Sequence, residues 1–397
     1  MTNSPAIAID FQHVDIVFGP NTGPALALLD AGKTRDEILN ATGRVVGVAD
    51  ANLQVDAGEI CVLMGLSGSG KSTLLRAVNQ LNTIARGKIL VRHNGEMVDV
   101  ATCKPELLRD IRARSVAIVF QQFALLPWRS VRDNVGFGLE LRGMPKPERD
   151  KIVDQKLEMV GLTRWADKQT QELSGGMQQR VGLARAFSTD ADILLMDEPF
   201  SALDPLIRTK LQDELLDLQK QLKKTIVFVS HDLDEAMKLG NRIAIMEGGR
   251  IVQCGTAEDI VLRPANAYVA EFVAHMNPMQ VLRGASLMTP AHLMRREGSA
   301  ILLDKAGQVR LHLDADERPL NVEIGGKTGR LSRANVETGK FDPATTDLVI
   351  APTDLKLKAA IELRRASGHP IVLVDALGRL AGLCGDDEIY RGLLRDL

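Results

Sequence analysis

Residues Gly65-Leu66-Ser67-Gly68-Ser69-Gly70-Lys71-Ser72 fit the pattern GxxxxGK[ST] and stand between an apolar run and a helical one. These types at this spacing suit polyphosphate binding. Glycines let the backbone curl around phosphate oxygens with its N–H groups inward, and the following helix turns its positive end to the anion. Lys71 is placed to reach the β- and γ-phosphates, and the Ser72 hydroxyl to coordinate Mg²⁺. Gly65, Ser67, Gly68, Ser69, Gly70, Lys71, Ser72 and Thr73 are therefore the candidate nucleotide ligands. A second acidic site lies downstream, where Ile193-Leu194-Leu195-Met196-Asp197-Glu198 reads as an apolar strand ending in two carboxylates. Asp197 suits a metal held through water, and Glu198 suits the polarisation of an attacking water. The pair of sites predicts hydrolysis of a nucleoside triphosphate.

Alternating strands and helices must position these groups. Residues 1–19 carry alternating apolar positions, and the pattern turns helical from 20 to about 43. Residues 45–55 and 59–64 read as strands, the second a continuous apolar run of the buried parallel kind. A helix follows the glycine-rich turn through Leu81, and residues 103–190 read as mostly helical. Alternation resumes with a strand at 192–196, a helix over 209–224 and a strand at 225–229. Residues 243–246 and 250–253 flank Gly248-Gly249, a hairpin signal.

Composition bounds the function. At roughly 150 residues per domain, 397 residues make two to three domains. Lys and Arg number 49 against 51 Asp and Glu, a formal net charge of −2, which argues against non-specific nucleic-acid binding. A hydrophobic content of 45% excludes general disorder. No stretch approaches the ~18–20 apolar residues of a membrane span, and the first residues lack the basic and apolar segments of a secretory signal. Cys61, Cys103, Cys254 and Cys384 form no CxxC pair, so reduced thiols are expected rather than disulfides or zinc ligands.

Between the two acidic and basic elements lies Leu173-Ser174-Gly175-Gly176-Met177-Gln178-Gln179-Arg180, which resembles the LSGGQ-like signature of ABC transporter ATP-binding subunits. Met177 stands where Gln is usual. The resemblance implies an α/β fold: a P-loop NTPase core with an N-terminal antiparallel β region and an inserted helical subdomain near residues 103–187. It implies ATP and Mg²⁺ as the nucleotide and metal. It also implies a homodimer in which Ser174, Gly175 and Gly176 complete the nucleotide site of the opposite subunit. Gln121 in VFQQFALLP resembles the family's metal-touching glutamine, with Gln122 beside it as the other register. Ser201-Ala202-Leu203-Asp204 resembles the D-loop, and His231 after TIVFVS the switch histidine that contacts the γ-phosphate. The metal would then rest on Ser72, Gln121 and Asp197, and catalysis on Glu198, His231 and Gln121. The aromatic that stacks on adenine is Phe18 by this resemblance, with Phe11 as the alternative.

The insertion LLDAGKTRDEILNATGRVVGV, with MGLSGSGKSTLLRAVNQL, LLMDEPFSALDPLIRTKLQDEL and TIVFVSHDLDEAMKLGNRIAIM, is similar to ATPases of glycine betaine, proline betaine and choline uptake, closest to the choline type. This implies an importer subunit peripheral to the cytoplasmic face of the inner membrane. It would work with an integral-membrane permease and, indirectly, an extracytoplasmic solute-binding protein, and with no nucleic acid. The competing expectations are an importer for another small solute and a soluble ABC ATPase acting on the ribosome or DNA. Residues 1–278 form the expected ATPase domain. Residues 346–397 resemble one cystathionine-β-synthase-type (CBS) motif, serving either regulation or packing and dimerisation. Residues 279–345 are a linker or a degenerate CBS-like half.

Overall fold

The computed structural model describes residues 6–394 apart from 122, 202, 275, 299, 305 and 335–346. Gln122 and Ala202 thus lie outside the described residues, as does the end of the 279–345 stretch from residue 335. The chain divides into two compact units, Met1–Ala257 and Glu258–Leu397.

The first unit is built on two sheets. Strands β1 (Ile7–Phe18), β2 (Val45–Asp56), β4 (Arg86–His93) and β5 (Glu96–Asp99) form an antiparallel sheet in the order β2-β1-β4-β5. The second sheet has the order β10-β9-β3-β8-β7-β6. Its members are β3 (Ile60–Met64), β6 (Val116–Val119), β7 (Ile193–Asp197), β8 (Thr225–Val229), β9 (Arg242–Glu247) and β10 (Arg250–Gly255). All pair in parallel except the β9–β10 hairpin around Gly248 and Gly249. Every residue of β3, β7 and β8 is buried, which explains their almost entirely apolar composition: both faces are covered. Such strands deliver their C-terminal residues to one edge, and there the functional residues gather.

Helices α1 (Gly23–Asp30) and α2 (Arg35–Thr42) occupy the insertion between β1 and β2. Ala25, Leu29 and Ile38 bury against Val17, Val46 and Ala49. A capping box fixes the start of α2: Thr34 Oγ1 accepts from Glu37 N–H, and Glu37 Oε2 accepts from Thr34 N–H at 2.8 Å. The Thr34 backbone bond, helped by Lys33, holds the Glu37 carboxyl down at about 2. Arg86 ties the insertion to the sheet by bridging buried Asp15 and Asp30.

The stretch 103–187 is not a single helical insertion. After α3 (Lys71–Ala77), helix α4 (Pro105–Arg114) and β6 pack with the main core through Ile111 and Val116, and β6 pairs with β7. The helical lobe is α5 (Val131–Leu141), α6 (Lys146–Met159) and α7 (Gly175–Ser188), closed by their own cluster of Val135, Val153, Leu157 and Val181. Helices α8 (Pro205–Leu222) and α9 (Leu233–Leu239) complete the unit.

The second unit begins at Glu258, which is bound by Ser286 Oγ at 2.5 Å and faces Arg283 at 3.5 Å; the division therefore falls before residue 278. Residues 296–329 form a five-stranded antiparallel meander, and no βαβ unit occurs there among the described residues. The strands Leu348–Pro352, Ile371–Val374 and Leu380–Cys384 share a second sheet, accompanied by the helices Leu357–Ser367 and Asp386–Leu394. Those last elements follow the order read from the sequence. Among the described residues no helix is long and apolar enough to cross a membrane.

Candidate functional site

Strand β3 ends at Met64 and α3 begins at Lys71, so residues 65–70 make the whole turn between a buried strand and a helix N-terminus. The turn is cramped at two glycines. A Cβ on Gly65 (φ +141°) would stand 2.1 Å from the Met246 carbonyl, and one on Gly70 (φ +103°) 2.4 Å from that of Gly47. Lys71 is buried, and its ammonium curls back to donate to the carbonyls of Gly65 at 2.8 Å and Leu66 at 3.0 Å. Burial lowers its pKa, against the opposing pull of Glu198 and Asp197. Ser69 Oγ is buried with no hydrogen-bond partner. Such a group costs free energy unless something fills its bond, and a phosphate oxygen is an acceptor for it.

Asp197, buried at the end of β7, accepts from Ser72 Oγ at 2.6 Å and from Arg76 Nε at 2.9 Å. Strand pairing thus brings the hydroxyl and carboxylate proposed for a metal into direct contact from 125 residues apart. The next residue, Glu198, leaves the strand with φ +46°, a left-handed conformation that costs a non-glycine residue free energy. Its N–H still donates to the Val229 carbonyl at 3.2 Å, which anchors the turn to β8. The twist sends its carboxylate to the cleft. There Gln121 Nε2 donates to Glu198 Oε2 at 3.1 Å, and His231 Nδ1 lies 3.3 Å from the same oxygen. The cleft, about 300 Å³, is lined by Ser67, Gly68, Lys71, Ser72, Glu198 and His231, with Gly70 and Thr73.

Phosphate-directed loop, paired hydroxyl and carboxylate, and carboxylate facing glutamine and histidine form one assembly on the sheet edge. The family profile described as ABC transporter matches residues 48–201. The chain is 41% identical over 400 residues to the glycine betaine transport ATP-binding protein OpuAA of Bacillus subtilis (strain 168), covering 98% of this chain and 91% of that protein. It is 39% identical over 401 residues to the glycine betaine/proline betaine transport ATP-binding protein ProV of Escherichia coli (strain K12), covering 98% of each. The chain belongs to the ATP-binding subunits of ABC transporters, in the glycine betaine/proline betaine group. In structure it resembles the dimeric bacterial ABC transporter cassette MJ0796, with a TM-score of 0.53 and 28% identity over 62% of this chain and 98% of that one. As a member of this family it is an ATPase that powers transport.

Other residues singled out in the sequence stand outside this subunit's own cleft. Ser174 is the N-cap of α7 but its side chain makes no cap bond, and Gly175 and Gly176 form the first turn. Met177 packs against the helical-lobe cluster, while Gln178 Nε2 donates to the carbonyls of Thr170 and Leu173. Buried Gln179 donates to the Pro199 carbonyl, joining the signature helix to the segment after Glu198. Asp204 caps α8 by accepting from Ile207 N–H at 3.0 Å. Phe18, at the end of β1, is 43% exposed, whereas Phe11 is 1% exposed within the core and presents no ring face to a base.

Three further residues of this ABC subunit were not legible as functional. Arg76 lies four residues beyond Ser72 on α3, so helical spacing alone places both on the face that meets Asp197. Arg185 donates to the carbonyls of Phe123 and Ala124, both at 2.7 Å, where both residues have positive φ. Burial lowers the Arg185 pKa. Glu235 is buried, accepting at 2.5 Å from the Oγ of Ser230, next to His231 in sequence, and at 3.0 Å from Gln212 Nε2. No local pattern announces Arg185 or Glu235.

Burial raises the Glu235 pKa above its usual 4.5, outweighing those two bonds. A raised folded-state pKa in an acid means that folding favours the protonated form, so stability is lost as pH climbs from 4.5 through the folded value. Glu235→Gln keeps an acceptor for Gln212 and removes this titration. The stability difference should turn increasingly in favour of the variant as pH rises through that window, as read from urea melts over a pH series. A difference that ignores pH would show that Glu235 is not ionised at a cost.

Proposed function

We propose that this chain is the ATP-hydrolysing subunit of an importer for a quaternary ammonium solute, acting as a homodimer beneath a separate integral-membrane permease. The observation that carries the mechanism is the Glu198 carboxylate, held 3.1 Å from Gln121 Nε2 and 3.3 Å from His231 Nδ1 at the edge of the cleft. Phosphates rest on the N–H groups of 65–72 and on Lys71, and Ser69 Oγ gains the partner it lacks. Ser72, Asp197 and Gln121 would hold a divalent ion such as Mg²⁺, which would supply neutralisation of polyphosphate charge when bound. Glu198 accepts a proton from water as the water oxygen bonds to the γ-phosphorus. The bond from that phosphorus to the β-bridging oxygen breaks, and ADP keeps the electron pair. His231 contacts the γ-phosphate, and Phe18 stacks on adenine.

Ser174, Gly175 and Gly176 are absent from the subunit's own cleft, and Ser174 Oγ is left uncommitted as a cap. A second copy brings them to the nucleotide, so two chains enclose two ATP molecules. Closure of the dimer moves the permease, and hydrolysis resets it. The chain sits at the cytoplasmic face of the inner membrane through the permease, in keeping with a net charge of −2 that offers little attraction to lipid. A solute-binding protein delivers the solute on the far side. Glycine betaine and proline betaine are the favoured solutes on the relatives' names, with choline the third on the sequence resemblance alone.

The test is reconstitution with the permease in vesicles, with the binding protein loaded in turn with glycine betaine, proline betaine, choline or an unrelated amino acid. Stimulated ATP turnover with a quaternary amine alone is expected. Stimulation by the unrelated solute, or recovery of ribosomes or DNA in place of a permease, would overturn the assignment.

A further inference from the structure

The insertion between β1 and β2 reaches the phosphate loop. Arg35, the first residue of α2, donates from Nη1 to the Gly68 carbonyl at 2.9 Å. Beside it opens a groove of about 470 Å³ lined by Thr34, Arg35, Asp36, Leu39, Val45 and Gly248 among others. Leu39 and Val45 are both more than 40% exposed there, an unusual state for aliphatic side chains flanking one groove. Val45 is the register partner of Phe18, so their side chains stand on one face of the sheet. That face continues over Gly47, where a Cβ would meet Phe18 Cε2 at 2.8 Å and Thr73 Cγ2 at 3.0 Å. Groove and phosphate cleft are therefore adjoining, with Arg35 at the join.

We propose that α2 forms the outer wall of the nucleoside site and that Arg35 is a polyphosphate ligand of the bound nucleotide. The inference rests on the ATP site described above. The occupant follows from chemistry: apolar walls from Phe18, Val45 and Leu39 suit a purine, and the guanidinium lies at the end where the phosphates must be. A carbonyl engages only part of the five-donor guanidinium fork, and that fork matches phosphate oxygens. The capping box holds Arg35 at the head of α2, so the charge is delivered by a fixed element. Lys33, the neighbouring cation, is instead tied to Glu37 at 3.0 Å.

Titration of the full-length protein with a fluorescent ATP analogue, in competition with ATP, ADP and AMP, tests this. Arg35→Ala should weaken ATP and ADP roughly tenfold, the loss of one charge-assisted contact, with AMP little changed and Arg35→Lys intermediate. Leu39→Ser should weaken all three alike, as should Phe18→Ala. Lys33→Ala should match the parent. Melting of each variant without nucleotide separates these effects from loss of folding. Parental ATP affinity in Arg35→Ala, or an equal loss for AMP and ATP, would overturn the proposal. Lys71→Ala distinguishes the two levels. If it loses ATP while Arg35→Ala does not, only this inference fails; if it binds ATP normally, the site itself is misplaced.

Discussion

Glu198→Gln should bind ATP as the parent does and lose turnover by about 10²–10⁴-fold, the range for removing a positioned general base. The substitution isolates the chemistry because nearly everything else is kept. Glutamine has the same length, and its carbonyl oxygen can still accept from Gln121 Nε2. The φ of +46° is as unfavourable for Gln as for Glu, so backbone strain is common to both chains and stability should agree within about 0.5 kcal/mol. In the proposed site, binding rests on other groups: Lys71, the loop amides, and the paired Ser72 and Asp197. What disappears is the group proposed to take the proton from water. With hydrolysis stopped, the ATP-bound dimer has no route to reset and should accumulate, visible as a nucleotide-dependent dimer in size-exclusion chromatography. Phosphate release within tenfold of the parent would remove Glu198 from the role of base and direct attention to His231, 3.3 Å away.

The chemistry was legible because each motif sits at the end of an element whose pattern is simple. β3, β7 and β8 are wholly buried and, but for Thr225 and the terminal Asp197, apolar, so the sequence runs before Gly65, Asp197 and His231 read as strands and the polar residues at their ends read as a site. The opposite held for β6. Four residues, Val116–Val119, set among helical patterns, do not declare a strand, and only pairing with β7 makes them one. That is why the helical lobe begins at α5 rather than near residue 103, and why Gln121 comes directly from the core sheet. Arg185 was invisible for another reason: its partners are main-chain carbonyls 61 and 62 residues away, and such contacts leave no trace in side-chain spacing. The meander at 296–329 is hard to read because its strands are short and, apart from the buried three-residue Ala300–Leu302, partly exposed, with Glu, Arg and Lys interleaved among the apolar residues.

Gly65→Ala should be the most damaging methyl in the phosphate loop. Two independent penalties meet there. An L-residue at φ +141° occupies a region used essentially by glycine alone, at a cost of order 1–3 kcal/mol. The added Cβ would also stand 2.1 Å from the Met246 carbonyl and 2.8 Å from Ser69 Oγ. The hydroxyl can rotate away, but the carbonyl is backbone of β9, which is hydrogen-bonded between β3 and β10. Relief therefore requires moving either the sheet or the loop. If the sheet resists, the loop shifts and its amides no longer converge on one phosphate position, so ATP binding is lost along with stability. A combined cost of about 3 kcal/mol lowers the melting temperature of a domain this size by roughly 6–12 °C. Gly68→Ala supplies the internal comparison, because its φ is +78° but nothing lies within 4 Å of the added methyl. It should cost only about 1–2 kcal/mol of left-handed strain. Parallel melts and ATP titrations of the two variants decide the matter. Equal damage at both positions would mean that conformational strain alone governs the loop, and that the close approach of the Met246 carbonyl is not what demands glycine at its entrance.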